Sequence, residues 1–122
     1  MKFFTEHGEV EVADDVFSAI AGYAATCCFG VKGMAARGVA DGLVGLLRRE
    51  HIARGVKVTF HPEKGEIGLT LHIIVEHGVN IPAICRSIMA EVRYVLEKCT
   101  GVRVGRVSIF VDGLMSAGKG GQ

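Results

Sequence analysis

An α+β fold is predicted: a small three- to four-stranded mixed sheet with helices packed on one face. Three observations carry this expectation. From Gly55 apolar residues recur at every second position, between Asn80 and Gly101 they recur at three- and four-residue steps, and from Val102 to Val111 valine and isoleucine return at period two. In chain order the elements read β-α-α-β-β-α-β, closing in a split β-α-β unit. The 122 residues, 49% hydrophobic and 22% charged, suit one domain with a sizeable core, expected over residues 1–115.

The first element is a short edge strand, because Glu9 to Val12 alternate charged and apolar side chains. Asp14 and Asp15 then place negative charge where a helix N-terminus favours it. The helix runs over about Ala13 to Cys28. Its expected buried stripe is Val16, Phe17, Ile20, Ala24 and Cys27, with Ala21, Gly22 and Ala25 permitting close approach. Gly30 ends it, and Gly30 to Ala35 reads as extended chain. Asp41 to Arg49 repeats Leu43, Leu46 and Leu47 at helical spacing, although Gly42 and Gly45 each weaken a helix by about 1 kcal/mol relative to alanine.

From Gly55 onward a β-hairpin is predicted with Lys64-Gly65 as a two-residue turn. That turn pairs Phe60 with Leu69, Val58 with Leu71 and Val56 with Ile73 on an apolar face. It sends Lys57, Thr59, His61, Thr70 and His72 to a wet face, which is the candidate interaction surface. The next helix, about Ile81 to Cys99, has an N-cap in Asn80, proline in its first turn at Pro82 and a left-handed stop at Gly101. Ile81, Ile84, Cys85, Ile88, Val92, Val95, Leu96 and Cys99 form its apolar stripe, and Arg86, Ser87, Arg93, Glu97 and Lys98 take the other side.

In the last strand Val102 and Val104 stand in one alternation phase and Val107, Ile109 and Val111 in the other, so a bulge belongs at Gly105-Arg106. A helical crossover makes this strand parallel to Ile67–Glu76 and right-handed. Its expected place is beside Val56–His61, leaving the outer edge of Ile67–Glu76 open to another strand. The glycine-rich residues Ser116 to Gln122 are expected to be disordered.

No catalytic spacing emerges. Four cysteines, Cys27, Cys28, Cys85 and Cys99, form no CxxC pair, and five histidines form no HxxxH, so neither a metal site nor a cofactor is expected. Ser87, Ser108, His72 and Asp112 lie in no nucleophile motif. Net charge +1 is too small for a broad field toward nucleic acid, and MKFFTEHGEV reads as neither a signal sequence nor a membrane span, which points to the cytoplasm. Against this stands Gly30-Val31-Lys32-Gly33, a short form of the GxxG loop with which KH modules clamp single-stranded RNA. Together with the basic patch Lys32, Arg48, Arg49 and Arg54 it gives the alternative of a KH-like nucleic-acid-binding domain. A lipid- or small-molecule-binding accessory protein is a further alternative.

Three ordered segments, GEVEVADDVFSAIAGYAATCCFGVKGMA, DGLVGLLRREHIARGVKV and IIVEHGVNIPAICRSIMAEVRYVLEKCTGVRVGRVSIFVDGL, cover about Gly8 to Leu114. In this combination the chain resembles the alkaline shock protein family of cell-envelope stress-response proteins of Gram-positive bacteria. The resemblance implies a cytoplasmic, non-enzymatic scaffold or adaptor that acts through protein–protein interaction. Its implied partners are a membrane anchor protein or a neighbouring kinase of the fatty-acid-kinase type, with homo-oligomers as well. Any membrane contact would be peripheral or indirect. The family brings no catalytic residue and no cofactor.

Overall fold

Pro62 cannot donate to a strand ladder and Gly65 adopts φ +66°, so the chain reverses between them and divides the central hairpin. The computed structural model describes residues 1–35 and 55–115. These form β1 (Lys2–Thr5), β2 (Gly8–Glu11), α1 (Asp14–Thr26), β3 (Val31–Met34), β4 (Val56–His61), β5 (Glu66–Glu76), α2 (Ile81–Thr100) and β6 (Arg103–Met115). The expected helix over Asp41 to Arg49 and the tail Ser116 to Gln122 lie outside the described residues.

β5 is the centre of the sheet. Along one edge it pairs antiparallel first with β4, from Glu66↔His61 to Leu71↔Val56, and then with β3, from Ile73↔Met34 to Val75↔Val31. Its other edge is taken over its whole length by β6, which runs parallel to it. The α+β class, the mixed sheet and the parallel crossover are thus as expected, but β6 lies beside β5 and not beside β4. The outer edge of β5 proposed as open is occupied, and among the described residues the outer edges of the sheet belong to β3 with β4 on one side and to β6 on the other. The physical reason is length: β5 and β6, with 11 and 13 residues, bury more ladder against each other than the six residues of β4 could.

The hairpin register also differs. Val58 faces Leu69 and Phe60 faces Ile67, a slip of two residues, because the connection is the four-residue turn Pro62 to Gly65. A slip of two leaves every side chain on its expected face.

Both helices cover the same face, α1 over β3 and β4 and α2 over β6, and they pack on each other. In α2 the Asn80 side chain accepts a hydrogen bond from Ala83 N–H at 3.0 Å, and Gly101 closes the helix at φ +76°. Ile84, Ile88, Val92 and Leu96 are buried at strict four-residue steps over Ile67, Leu69, Leu71, Ile73, Val104 and Val107. Two assignments to the solvent side of α2 are corrected. The Arg93 guanidinium donates to the carbonyls of Val104 and Gly105, and the Glu97 carboxylate accepts from Val104 N–H at 2.8 Å, so both hold the bulged start of β6. Cys99, assigned to the stripe, is exposed.

α1 buries Phe17, Ala21, Gly22, Ala24 and Ala25, whereas Val16 and Cys27 are exposed. Helix-to-helix approach decides this phase. Small buried residues permit α1 to approach α2, and the larger Val16 is exposed. The N-terminal segment forms a separate antiparallel pair, β1 with β2, tied at its open end by mutual hydrogen bonds between Met1 and Val12.

Candidate functional site

Since α1 and α2 share one side, the opposite face of the sheet carries no helix among the described residues. Alternation brings Lys57 and Thr59 of β4, Thr70 and His72 of β5, and Ser108, Phe110 and Asp112 of β6 to that face. Lys57, Thr70 and Ser108 stand in one cross-strand row. His72 and Phe110 stand in the next.

The predicted surface residues are therefore brought together: His61, at the end of β4, shares the face, with its ring beside Gly68 of β5 and its Nδ1 3.9 Å from Glu63. Lys57 and Thr59 are exposed, and His61, Thr70 and His72 are half-buried. The β6 contributors were missed in the sequence. Their signal was the even-numbered alternation Ser108, Phe110 and Asp112, legible once β6 is known to flank β5.

His72 is the best-organised member. Its ring stacks on Phe110 with centroids 5.0 Å apart and planes 12° apart, and its Nδ1 lies 3.0 Å from Asp112 Oδ2. The backbone of the same residue joins the two strands of the opposite edge. His72 N–H donates to the Gly55 carbonyl at 2.8 Å, and the His72 carbonyl accepts from Ala35 N–H at 2.9 Å. Stacking fixes the imidazole and leaves Phe110, 51% exposed, as a flat apolar platform among polar neighbours. Such a surface offers a place for a partner to bind.

The GxxG segment has another role. Gly30, buried at φ +87°, turns the chain out of α1, and its carbonyl accepts from Glu76 N–H at 2.8 Å. Val31 to Met34 continue as β3. A KH clamp needs its loop between two helices, so the structure corrects the KH-like alternative: these glycines start a strand. Lys32 is exposed on β3, and Arg48, Arg49 and Arg54 lie outside the described residues.

A groove of about 590 Å³ lies between Cys28, Phe29 and the first turns of α2. Burial, then Glu91 and then Cys27, push the Cys28 thiol above its ordinary value of 9.0, and burial alone raises Cys85. Both thiols are held protonated at neutral pH, the wrong state for nucleophilic work. The same shifts make stability fall in alkali. The folded chain keeps these protons after the unfolded chain has lost them, so the contribution is complete below pH 9.0 and disappears as pH rises through the raised values. Urea midpoints from about pH 8 to about pH 10 should decline less in the Cys28→Ala, Cys85→Ala double variant than in the unmodified protein. Parallel declines would show that other groups govern the alkaline limb.

Among the described residues no three His, Cys, Asp or Glu side chains converge as a metal ion would require. No described helix is long and apolar enough to cross a membrane. Residues 2–116 match the sequence model of the alkaline shock protein 23 family, described as having a cell envelope-related function. The chain is 33% identical over 111 residues to the uncharacterized protein YloU of Bacillus subtilis, covering 90% of this chain and 91% of that one. It is 30% identical over 122 residues to the uncharacterized protein Spy1614 of Streptococcus pyogenes, covering 98% of each chain. A second Bacillus subtilis protein, the uncharacterized YqhY, is 30% identical over 112 residues, 90% of this chain and 79% of that one. No solved structure matches the chain.

Proposed function

Because the chain belongs to the alkaline shock protein 23 family, of cell envelope-related function, we propose that it is a non-enzymatic scaffold or adaptor that recognises a protein partner at the cytoplasmic membrane face. The open sheet face carries this reading. A sheet covered by helices on one side only is stable in water if its other side is largely polar, and this side is polar except for Phe110 and the half-buried Ile74. An exposed aromatic side chain, stacked on His72 with Thr70 and Ser108 in the neighbouring row and Lys57 and Thr59 farther across the sheet, has the composition of a binding centre with a polar rim. A membrane anchor protein is the favoured partner, with a fatty-acid-kinase-type neighbour second. Contact with the bilayer itself is indirect in this reading.

The test is photocrosslinking in the native cell from probes at Thr59 and Ser108 on the open face and at Glu91 on α2. A membrane-protein adduct is expected from the first two positions, weakened by Phe110→Asp and absent from Glu91. Adducts from Glu91 alone, or adducts unaffected by Phe110→Asp, would move the functional surface to the helical side.

A further inference from the structure

We propose that the outer edge of β2 receives an extended basic segment of a partner protein, which adds antiparallel as a third strand and sets two arginine or lysine side chains against Glu9 and Glu11. β1 and β2 form a two-stranded sheet of their own. On one side Met1, Phe3 and Val12 pack against the core, and every residue of β2 is exposed. A ribbon of two strands is short of partners, and a third strand completes it. The ladder phase decides which groups β2 offers. Met1 and Val12 exchange both backbone hydrogen bonds, each of 2.8 Å. Exchanging and non-exchanging positions alternate along an antiparallel pair, so Phe3 with Val10 and Thr5 with Gly8 exchange as well, and Lys2 with Glu11 and Phe4 with Glu9 do not. The N–H and carbonyl groups of Glu9 and Glu11 therefore point away from β1, and no further strand lies beside β2 among the described residues. These are the groups an added strand takes.

Side chains select the occupant. Phe4, Glu9 and Glu11 stand on the outward face of the ribbon, and Val10 stands with Phe3 on the inward one, 50% exposed at the rim. A strand seated there meets a carboxylate, an apolar side chain and a carboxylate in turn, so the pattern that fits is basic, apolar, basic. Phe4, 77% exposed and cross-strand from Glu9, adds an aromatic face within reach of a guanidinium. Glu11 stands in no ion pair among the described residues. Lys2 approaches one oxygen of Glu9 at 3.9 Å with both side chains about half exposed, a weak contact that a closer, bidentate arginine outcompetes. A second copy of this edge does not fit. Antiparallel self-pairing centred on Val10 would set Glu9 against Glu11 of the other copy, and like charges directly opposite destabilise a pair. The two carboxylates thus blunt the edge toward acidic strands and admit a basic one. This site stands apart from the adaptor reading, because it lies on the N-terminal ribbon and not on the open sheet face.

NMR titration of the full chain with the peptide acetyl-Ser-Thr-Arg-Val-Arg-Thr-Ser-amide tests the site. Saturable binding is expected, with shifts and slowed hydrogen exchange at the Glu9 and Glu11 amides. Methylating both arginine backbone nitrogens keeps the charge and removes the donors that face β2, so it should weaken binding by about tenfold or more. The Glu9→Lys, Glu11→Lys double variant should lose the arginine peptide by a similar factor and instead take up the peptide with glutamate at both arginine positions. Phe110→Asp should change neither result. No saturable binding by the unmodified protein, a methylated peptide that binds as well as its parent, or shifts centred on other amides would overturn the proposal. So would a double variant that melts as a folded protein and ignores the glutamate peptide. Loss of binding in Phe110→Asp would move the peptide to the open face and overturn strand addition to β2. Failure of the peptide together with intact crosslinks from Thr59 and Ser108 would overturn this site and leave the adaptor reading standing.

Discussion

Ile88→Asp is expected to unfold the protein or leave it with a small fraction of its stability. Ile88 is 0% exposed at the middle of the α2 stripe, between Ile84 and Val92 and over the β5 side chains. Truncating such a residue costs about 2 to 5 kcal/mol by itself, and a carboxylate left there without a partner adds several more. A domain of this size has about 5 to 15 kcal/mol in total. Ala90→Asp is the matched control, since it puts the same group two positions along the helix in an exposed place, where a change of about 1 kcal/mol or less is expected. Thermal melts followed by circular dichroism decide it. Equal melting temperatures for the two variants would refute the packing of α2.

Arg93→Ala separates the sequence reading from the structure on the same helix. By period alone Arg93 belongs to the solvent side and its loss should cost little. Its two charge-assisted hydrogen bonds to the β6 bulge make a cost of about 1.5 to 3 kcal/mol the expectation. A long amphipathic side chain can leave the polar face and reach backbone that no hydrophobic pattern records.

What was legible followed from strong local chemistry. The Asn80 cap, the Gly101 stop, the alternation in β4 and β5 and the bulge at Gly105-Arg106 are each fixed within a few residues, and each is present. Neighbour relations were not. Whether β6 lies beside β4 or β5 depends on which pairing buries more ladder, a property of the whole sheet. The two-residue slip in the hairpin came from counting Lys64-Gly65 as the entire turn when Pro62 had already ended β4. The candidate face shows the same division. Period two placed Lys57, Thr59, Thr70 and His72 correctly on one side, but the platform Phe110 and its neighbour Asp112 could be added only once the strand beside β5 was known. In α1 the reading held for Phe17 and Ala24 in the stripe and for Ala21, Gly22 and Ala25 as small buried residues, and it missed at Val16 and Cys27, because a face of small residues scores as weakly apolar and its larger neighbours widen the apparent stripe.

The second large effect is expected at Gly30, where folding and the discarded loop reading make opposite forecasts. Gly30→Val forces a β-branched residue into φ +87°, and its Cβ would overlap the buried Ile84 side chain, with Val79 only 3.5 Å away. Backbone strain of about 1 to 3 kcal/mol and overpacking of similar size give an expected loss of about 3 to 5 kcal/mol. Gly33 has no positive φ, and a Cβ there meets nothing within 4 Å, so Gly33→Ala should lie within about 1 kcal/mol of the unmodified protein. Urea denaturation of both variants measures the contrast. If Gly30 to Gly33 formed a nucleotide clamp, both glycines would be needed for ligand approach, and neither need be essential for folding. A chain corner packed on α2 needs Gly30 alone, because Gly33 already lies within β3 with open space beside it. Near-equal midpoints for the two variants would show that Gly30 is not the corner that ties α1 to the sheet, and with it would fall the packing that keeps both helices on one face.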